Sequence, residues 1–480
     1  MTQNNTIDEQ ILGWVGSSND RGTIDIMWSS CITIILCCWV STYPNVGSPS
    51  DKWYHIFYDK ISLAMISILG PDFLFGIAFG QWSSARRSVQ TFQKDKHLCN
   101  GEKWTYTHAF FIDMGGIHLT SPDFQGGFPI NAEQLHYLVL HKHLDFPDME
   151  TMEISERNSL DRLSRLITVF QAFWFVVTEI QRYHIGLPMT TLELTALSFT
   201  FIMFSTSILW YAKPSITQPR TISTKENKTI AAIRDFARSN THPNMPDTWF
   251  QTPLEFIGEE RFRINAHWQY YVKVTHKLHL WIVSRPIKVR PWDRFPSDLW
   301  ICPDLVFAPV AAAILVGFSV LFLPAWNFHF PTPTEQLLWR ICSTYHAVFS
   351  LYGGGYYLIE MFRNRRQYLR RVRGPPLERA IPLQDLESQR TVQVDEQPNT
   401  FRERILRSVV DWIKECRNIS DGRDPNMAIP LRILFPVSIT CALYVACRFY
   451  IYFEDFFSLR AQPAGVFLSV NKFIPFLVGP

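Results

Sequence analysis

Carboxylates set inside apolar stretches are the residues of this chain most able to do chemistry. In "ISLAMISILGPDFLFGIAFGQW", residues 61–82, Asp72 follows Pro71 near the middle of a run long and apolar enough to cross a bilayer. A carboxylate at bilayer mid-depth costs roughly 2.5–3.5 kcal/mol. Glu179 lies in "FQAFWFVVTEIQRYHIG", Glu193 follows the "GLPMTT" turn, and Glu454 and Asp455 sit in "YFEDFFSLR". Acids in such settings point to function. Their chemistry would be proton transfer, because burial away from water favours the neutral acid that can protonate a weak base. Each also has a structural reading. Glu179 and Arg182 are spaced i,i+3 and can neutralise each other, and Glu193 falls in a first helical turn, where the dipole favours it. Gly70–Pro71–Asp72 resembles a helix opening, so the run can be two half-helices with Asp72 capping the second.

These acids must be positioned by long apolar elements. The chain has 480 residues, of which 47% are hydrophobic, 15% aromatic and only 19% charged. Its apolar residues gather into seven blocks of about 20, the length of a spanning helix: Ile24–Tyr43, Ile61–Gln81, Leu166–Gly186, Leu192–Ala212, Leu305–Trp326, Leu337–Met361 and Ile429–Phe453. The expected fold is therefore an all-α integral membrane protein of about seven transmembrane helices with large cytosolic loops.

The net charge of +3 is unevenly placed. Arg86 and Arg87 follow the second block, Arg157, Arg162 and Arg165 precede the third, and Lys213 and Arg220 follow the fourth. Arg285, Lys288, Arg290 and Arg294 precede the fifth block, and "RNRRQYLRRVR" follows the sixth. Basic residues near span ends favour the cytoplasm. The resulting expectation is a cytosolic N-terminus (1–23), helices 1–2 (24–81), a cytosolic loop (82–165), a hairpin of helices 3–4 (166–212) and a second cytosolic loop (213–304). Helices 5–6 (305–361), a basic cytosolic loop (362–428), helix 7 (429–453) and a lumenal tail (454–480) complete it. No cleavable signal peptide is expected, the first 23 residues being polar. The sequons at Asn4, Asn227 and Asn418 then face the cytosol, unglycosylated. The endoplasmic reticulum is the default address.

Within the loops, 131–144 and 263–283 read as helices lying on the membrane surface or packed on other loop segments. The centre of 362–428 reads as disordered. The nine cysteines form no framework and read as packing residues. There is no P-loop, no H-E-x-x-H and no Rossmann glycine signature. The pairs His141/His143 and His276/His279 lack evident third ligands and read as surface histidines. Neither a metal, a cofactor nor a nucleic-acid partner is expected. Aromatic stretches such as "FQAFWFVV", "SILWYAKP" and "YHAVFSLYGGGYY" can face a passing carbocation or serve as packing and interface anchors. The triple glycine 353–355 allows close backbone approach.

The stretch "RGTIDIMWSSCITIILCCWVSTYPNV" resembles the N-terminal signature of a large fungal family of multi-pass membrane proteins, with its Arg-Gly-Thr start, Trp-Ser-Cys turn and His-Pro-Asn-Val exit. Here Ser30 precedes Cys31 and Tyr43 replaces the His. The similarity continues through "GPDFLFGIAFGQWSSARR", where members often carry Glu at the Asp72 position, and through "HAFFIDMGGIHL", "FPINAEQLHYLV", "GLPMTTLELTALSF", "WNFHFPTPTEQLLWR" and "YFEDFFSLRAQP". The tail "SVNKFIPFLVGP" departs from the usual ending, which keeps a Trp and a Pro-His. Some members work in secondary metabolism, and one similar member closes an oxygen ring on an epoxidised farnesyl-phenol.

Three functions follow as expectations. The first is a membrane-bound terpenoid cyclase acting on a prenylated, epoxidised, lipid-soluble intermediate, with Asp72 as acid and Glu179 or Glu193 as its partner. Its partners would be the lipid bilayer, that lipophilic prenylated substrate and other enzymes of the same pathway. The second is a transporter or exporter, which the broken second block fits. The third is a non-catalytic membrane scaffold or sensor.

Overall fold

The computed structural model describes residues 10–17, 21–99, 103–147, 159–215, 218–243, 245–258, 263–280, 282–373 and 429–469. The helices are α1 (Thr23–Val40), α2 (Trp53–Leu69), α3 (Pro71–Lys94), α4 (Tyr106–Asp113), α5 (Ala132–Leu140) and α6 (Ser159–His184). They continue with α7 (Thr191–Leu209), α8 (Ile230–Asn240), α9 (Arg263–Lys277), α10 (Ala308–Val320), α11 (Pro333–Arg373) and α12 (Leu431–Phe457). The strands are β1 (Ile11–Leu12), β2 (Ile117–Ser121), β3 (Phe124–Pro129), β4 (Arg220–Ser223) and β5 (Gln462–Pro463).

Four helices are long and apolar enough to cross a membrane: Thr23–Val40, Thr191–Leu209, Ala308–Asn327 and Leu431–Arg460. Helices also cover the blocks at 166–186 and 337–361, as parts of α6 and α11, but neither is among those four. The block 61–81 is bent, as in a broken span or a re-entrant pair. It breaks between α2 and α3, whose axes differ by 120°. The cause is local: Pro71 has no N–H for a helix arriving from α2, and Gly70, at φ −160° and ψ 92°, is extended. Asp72 is therefore in the first turn of a new helix and not in mid-helix.

The all-α expectation needs correcting in the loops. Strands β3, β2 and β4 form a three-stranded sheet, with β2–β3 antiparallel and β2–β4 parallel. Gly115 (φ +85°) and Gly127 (φ +67°) turn the chain where a side chain would strain it. Leu119, Phe128, Leu135, Leu138, Ile230 and Ile233 bury one continuous core between this sheet and α3, α4, α5 and α8. Helix α5 opens with a capping box, Asn131 Oδ1 accepting from Gln134 N at 2.8 Å and Gln134 Oε1 accepting from Asn131 N at 3.0 Å. Its apolar face is covered by this core and not by a lipid surface, and His143 is buried with it rather than exposed. Helix α9 likewise docks on protein: Trp268 Nε1 donates to Asp298 at 2.9 Å, and the Tyr271 and Ser438 hydroxyls pair at 3.0 Å. The triple glycine lies within α11, and added Cβ atoms there would meet nothing within 4 Å, so it makes no close approach to the described chain. The centre of 362–428 lies outside the described residues, as do Asn4 and Asn418.

Long-range contacts fix which helix ends lie together. At one end, β1 pairs with β5, Arg21 N donates to Phe467 O at 3.2 Å, and the Thr191 and Ser458 hydroxyls pair at 3.1 Å. At the other, Lys213 reaches the loop after α1, Arg165 stacks on Tyr43 at 3.3 Å, and Arg86 pairs with Asp304 at 3.2 Å. The segments before α1 and after α12 thus share one end of the bundle.

Candidate functional site

Asp72 sits at the tip of the α2–α3 break, almost fully buried. Its Oδ1 accepts a 2.7 Å hydrogen bond from the Tyr444 hydroxyl of α12, 372 positions away in sequence. Around this pair stand aromatic rings. Phe73 lies 5.1 Å from Tyr444, Phe349 and His346 each 4.7 Å, and Trp268 lies 5.7 Å from Phe73.

One helical turn along α12, Arg448 is wholly buried. Its Nε donates to the Tyr452 hydroxyl at 2.9 Å, and that hydroxyl in turn donates to the Ile68 carbonyl just before the break. The guanidinium is caged by Phe199, Phe318, Phe322 and Tyr452, with centroids 5.1–5.4 Å away. About two turns beyond Arg448, Asp455 is buried near Thr191 and Thr195. The face of α12 toward the bundle is thus a polar stripe, 444–448–452–455, at the 3.6-residue period.

Glu179 and Glu193 form a second cluster. Glu193 is fully buried and closes the capping box of α7, accepting from Thr190 N at 2.8 Å and Thr190 Oγ1 at 2.9 Å while pairing with Arg21. Glu179 lies beside it and 3.8 Å from Arg182 Nε. Arg182 also donates to the carbonyls of Pro188 and Val466 at 2.9 Å and of Leu468 at 2.8 Å. These charges stitch the α6–α7 turn to the two terminal segments. Asp72 shares no hydrogen bond or ion pair with either glutamate. The hydrogen-bond partner of Asp72 is Tyr444, while Glu179 and Glu193 lie side by side in a separate cluster in which Glu179 Oε2 is buried without a hydrogen bond among the described residues.

Tyr444, Arg448 and His346 were missed in the sequence. The signal was present for Arg448, since a cation within "LYVACRFYIYF" obeys the same rule that singled out the acids. Tyr444 carried none, because an aromatic in an apolar block is ordinarily packing.

Residues 1–285 match a family of unknown function, DUF8562. The chain belongs to that family. The matched region holds Asp72, Glu179 and Glu193, whereas Tyr444 and Arg448 lie beyond it. No curated protein and no solved structure matches the chain.

A third buried polar group lies where the bundle meets the loop core. Lys213 Nζ donates to Tyr43 O at 2.8 Å, Gln81 Oε1 at 2.8 Å and Asn45 Oδ1 at 3.1 Å, and it stands 4.6 Å over Trp210. With Asp113, Met114 and Ile301 it lines a small pocket. All three ammonium hydrogens are used, which makes Lys213 a clasp. Groups of three or more His, Cys, Asp or Glu able to hold a metal do not occur among the described residues.

Proposed function

We propose that this chain is a membrane-bound terpenoid cyclase of secondary metabolism, closing a ring on a lipophilic, prenylated and epoxidised intermediate. The observation that carries this reading is the Asp72–Tyr444 pair, buried among aromatic rings at a helix break. Protonated Asp72 would deliver its proton to the epoxide oxygen as the C–O bond opens. An internal hydroxyl or alkene attacks the developing cation, and the proton then lost returns to the Asp72 carboxylate. The net change is an isomerisation, so atoms balance without a co-substrate. Aromatic faces stabilise the cation, and exclusion of water prevents its capture. Tyr444 orients the carboxyl and is a positioning residue.

The membrane arrangement proposed with it has six full crossings, α1, α6, α7, α10, α11 and α12, plus a re-entrant pair α2–α3 that carries Asp72 inward. The basic loops at 82–165, 213–304 and 362–428 then face the cytosol together, and both terminal segments face the lumen of the endoplasmic reticulum.

The broken helix also favours an exporter, since secondary carriers place ionisable groups at such breaks. One experiment separates the readings. Cells expressing the wild type or Asp72→Asn are profiled for metabolites, and the accumulating precursor is offered to detergent-solubilised protein. Conversion by the wild type, lost at least about 100-fold in Asp72→Asn, supports the cyclase. Product trapped in cells without conversion in detergent supports export. Unchanged chemistry in both assays sinks both readings and leaves a scaffold or sensor.

A further inference from the structure

Arg448 makes no ion pair with any described residue, although Asp72 and Asp455 are close enough for their charges to be felt. Its Nε donates to Tyr452, but Nη1 and Nη2 are buried and donate to no described residue. Both ring nitrogens of His346, packed against Tyr444 and Phe322, are buried and unpartnered as well. Buried polar hydrogens are almost always bonded, and a guanidinium fork with two free Nη groups matches one ligand geometry above others: two oxygens of a single oxyanion. The surroundings are rings from α7, α10 and α12, so the rest of that ligand is apolar.

We infer that Arg448 is the anchor of a binding site for a lipophilic carboxylate, held by its two Nη groups with His346 at the flank. The anchor lies one turn of α12, about 5.4 Å of rise, from Tyr444 and the Asp72 carboxyl it holds. A ligand fixed there by its polar end runs its apolar body past the acid. In calling this ligand the substrate, the inference rests on the cyclase reading; the binding site itself does not.

The test uses full-length protein in a non-ionic detergent and in phosphatidylcholine nanodiscs, with dodecanoate as probe and dodecanol as its uncharged match. Dodecanoate should raise the melting temperature in a saturable way and dodecanol should not. Arg448→Lys keeps the charge but not the fork and should weaken dodecanoate at least about tenfold; Arg448→Gln should abolish the difference between the probes. Equal effects of the two probes on the wild type, a comparison that needs no variant, would overturn the inference and leave internal water as the partner of Arg448. Displacement of dodecanoate by phosphatidic acid doped into the nanodiscs would overturn it in favour of a lipid phosphate. Carboxylate-specific binding by a wild-type protein that converts no precursor in detergent would retain this site and reject the cyclase reading.

Discussion

Lys213 and Tyr444 are single side chains that join segments far apart in sequence, and their removal has different consequences. Lys213→Met leaves the Tyr43 carbonyl and the Asn45 and Gln81 amide oxygens without their donor. Unsatisfied buried groups cost about 1–3 kcal/mol each, so a loss of at least about 2 kcal/mol is expected, read as a lower melting temperature in detergent. Tyr444→Phe removes only the donor to Asp72. It should cost about 1–3 kcal/mol of stability and lower cyclisation while leaving substrate affinity near the wild-type value. His118, in β2, gives a pH signature. Burial pushes its imidazole down to about 4, against an ordinary value of 6.5, and neither ring nitrogen has a hydrogen-bond partner. Between those values the unfolded chain binds a proton that the folded chain refuses. Stability is therefore fully present above about pH 6.5 and falls as pH drops toward 4, by up to about 1.4 kcal/mol per unit. Denaturant midpoints at pH 7 and pH 5 test this, and His118→Gln should flatten the difference. Of these residues only Asp72 was legible as a candidate beforehand, because a charge in an apolar run is visible without its partners, whereas a tyrosine or a loop histidine is not.

At the scale of elements, α3 is the member that ties the bundle to the loop core. Its glycines let the segment 297–302 lie against it. A Cβ at Gly80 would come 2.5 Å from the Ile301 carbonyl oxygen, and one at Gly76 would come 2.4 Å from the Trp300 ring. The first obstacle is backbone, which cannot rotate away. Gly80→Ala should therefore destabilise by about 1–3 kcal/mol and speed proteolysis within 297–302, while Gly76→Ala, facing a side chain, should cost less. The expected helices at the apolar blocks formed, since their composition and length are local properties. The sheet was not anticipated, because β2 and β4 are separated by about a hundred residues and their short runs carry little signal alone.

For the whole molecule, the β1–β5 pairing and the Arg21 and Arg182 contacts bring the segments before α1 and after α12 together, and the proposed arrangement places both on one side. Glycosylation acceptors fused to the N-terminus and to the C-terminus should behave alike, both modified in the proposed orientation. An acceptor inserted into the loop at 122–123 should behave oppositely, as should the native sequon at Asn227. Opposite behaviour of the two terminal acceptors would refute the shared side and restore an odd number of crossings.

Local chemistry decided what the sequence could determine alone: where apolar helices run, that Pro71 and Asp72 open a helix, that Glu193 caps one, and that the charges cluster in the long loops. Such features depend on neighbours within about one helical turn, which periodicity and capping rules capture. Tertiary structure alone decided that Asp72 meets Tyr444 and not a glutamate, that Arg448 lies in an aromatic cage, that α2 and α3 meet at a 120° bend, and that β1 pairs with β5. Those outcomes depend on how whole elements pack, which joins residues as far apart as Ile11 and Pro463 and leaves no periodic trace in the chain.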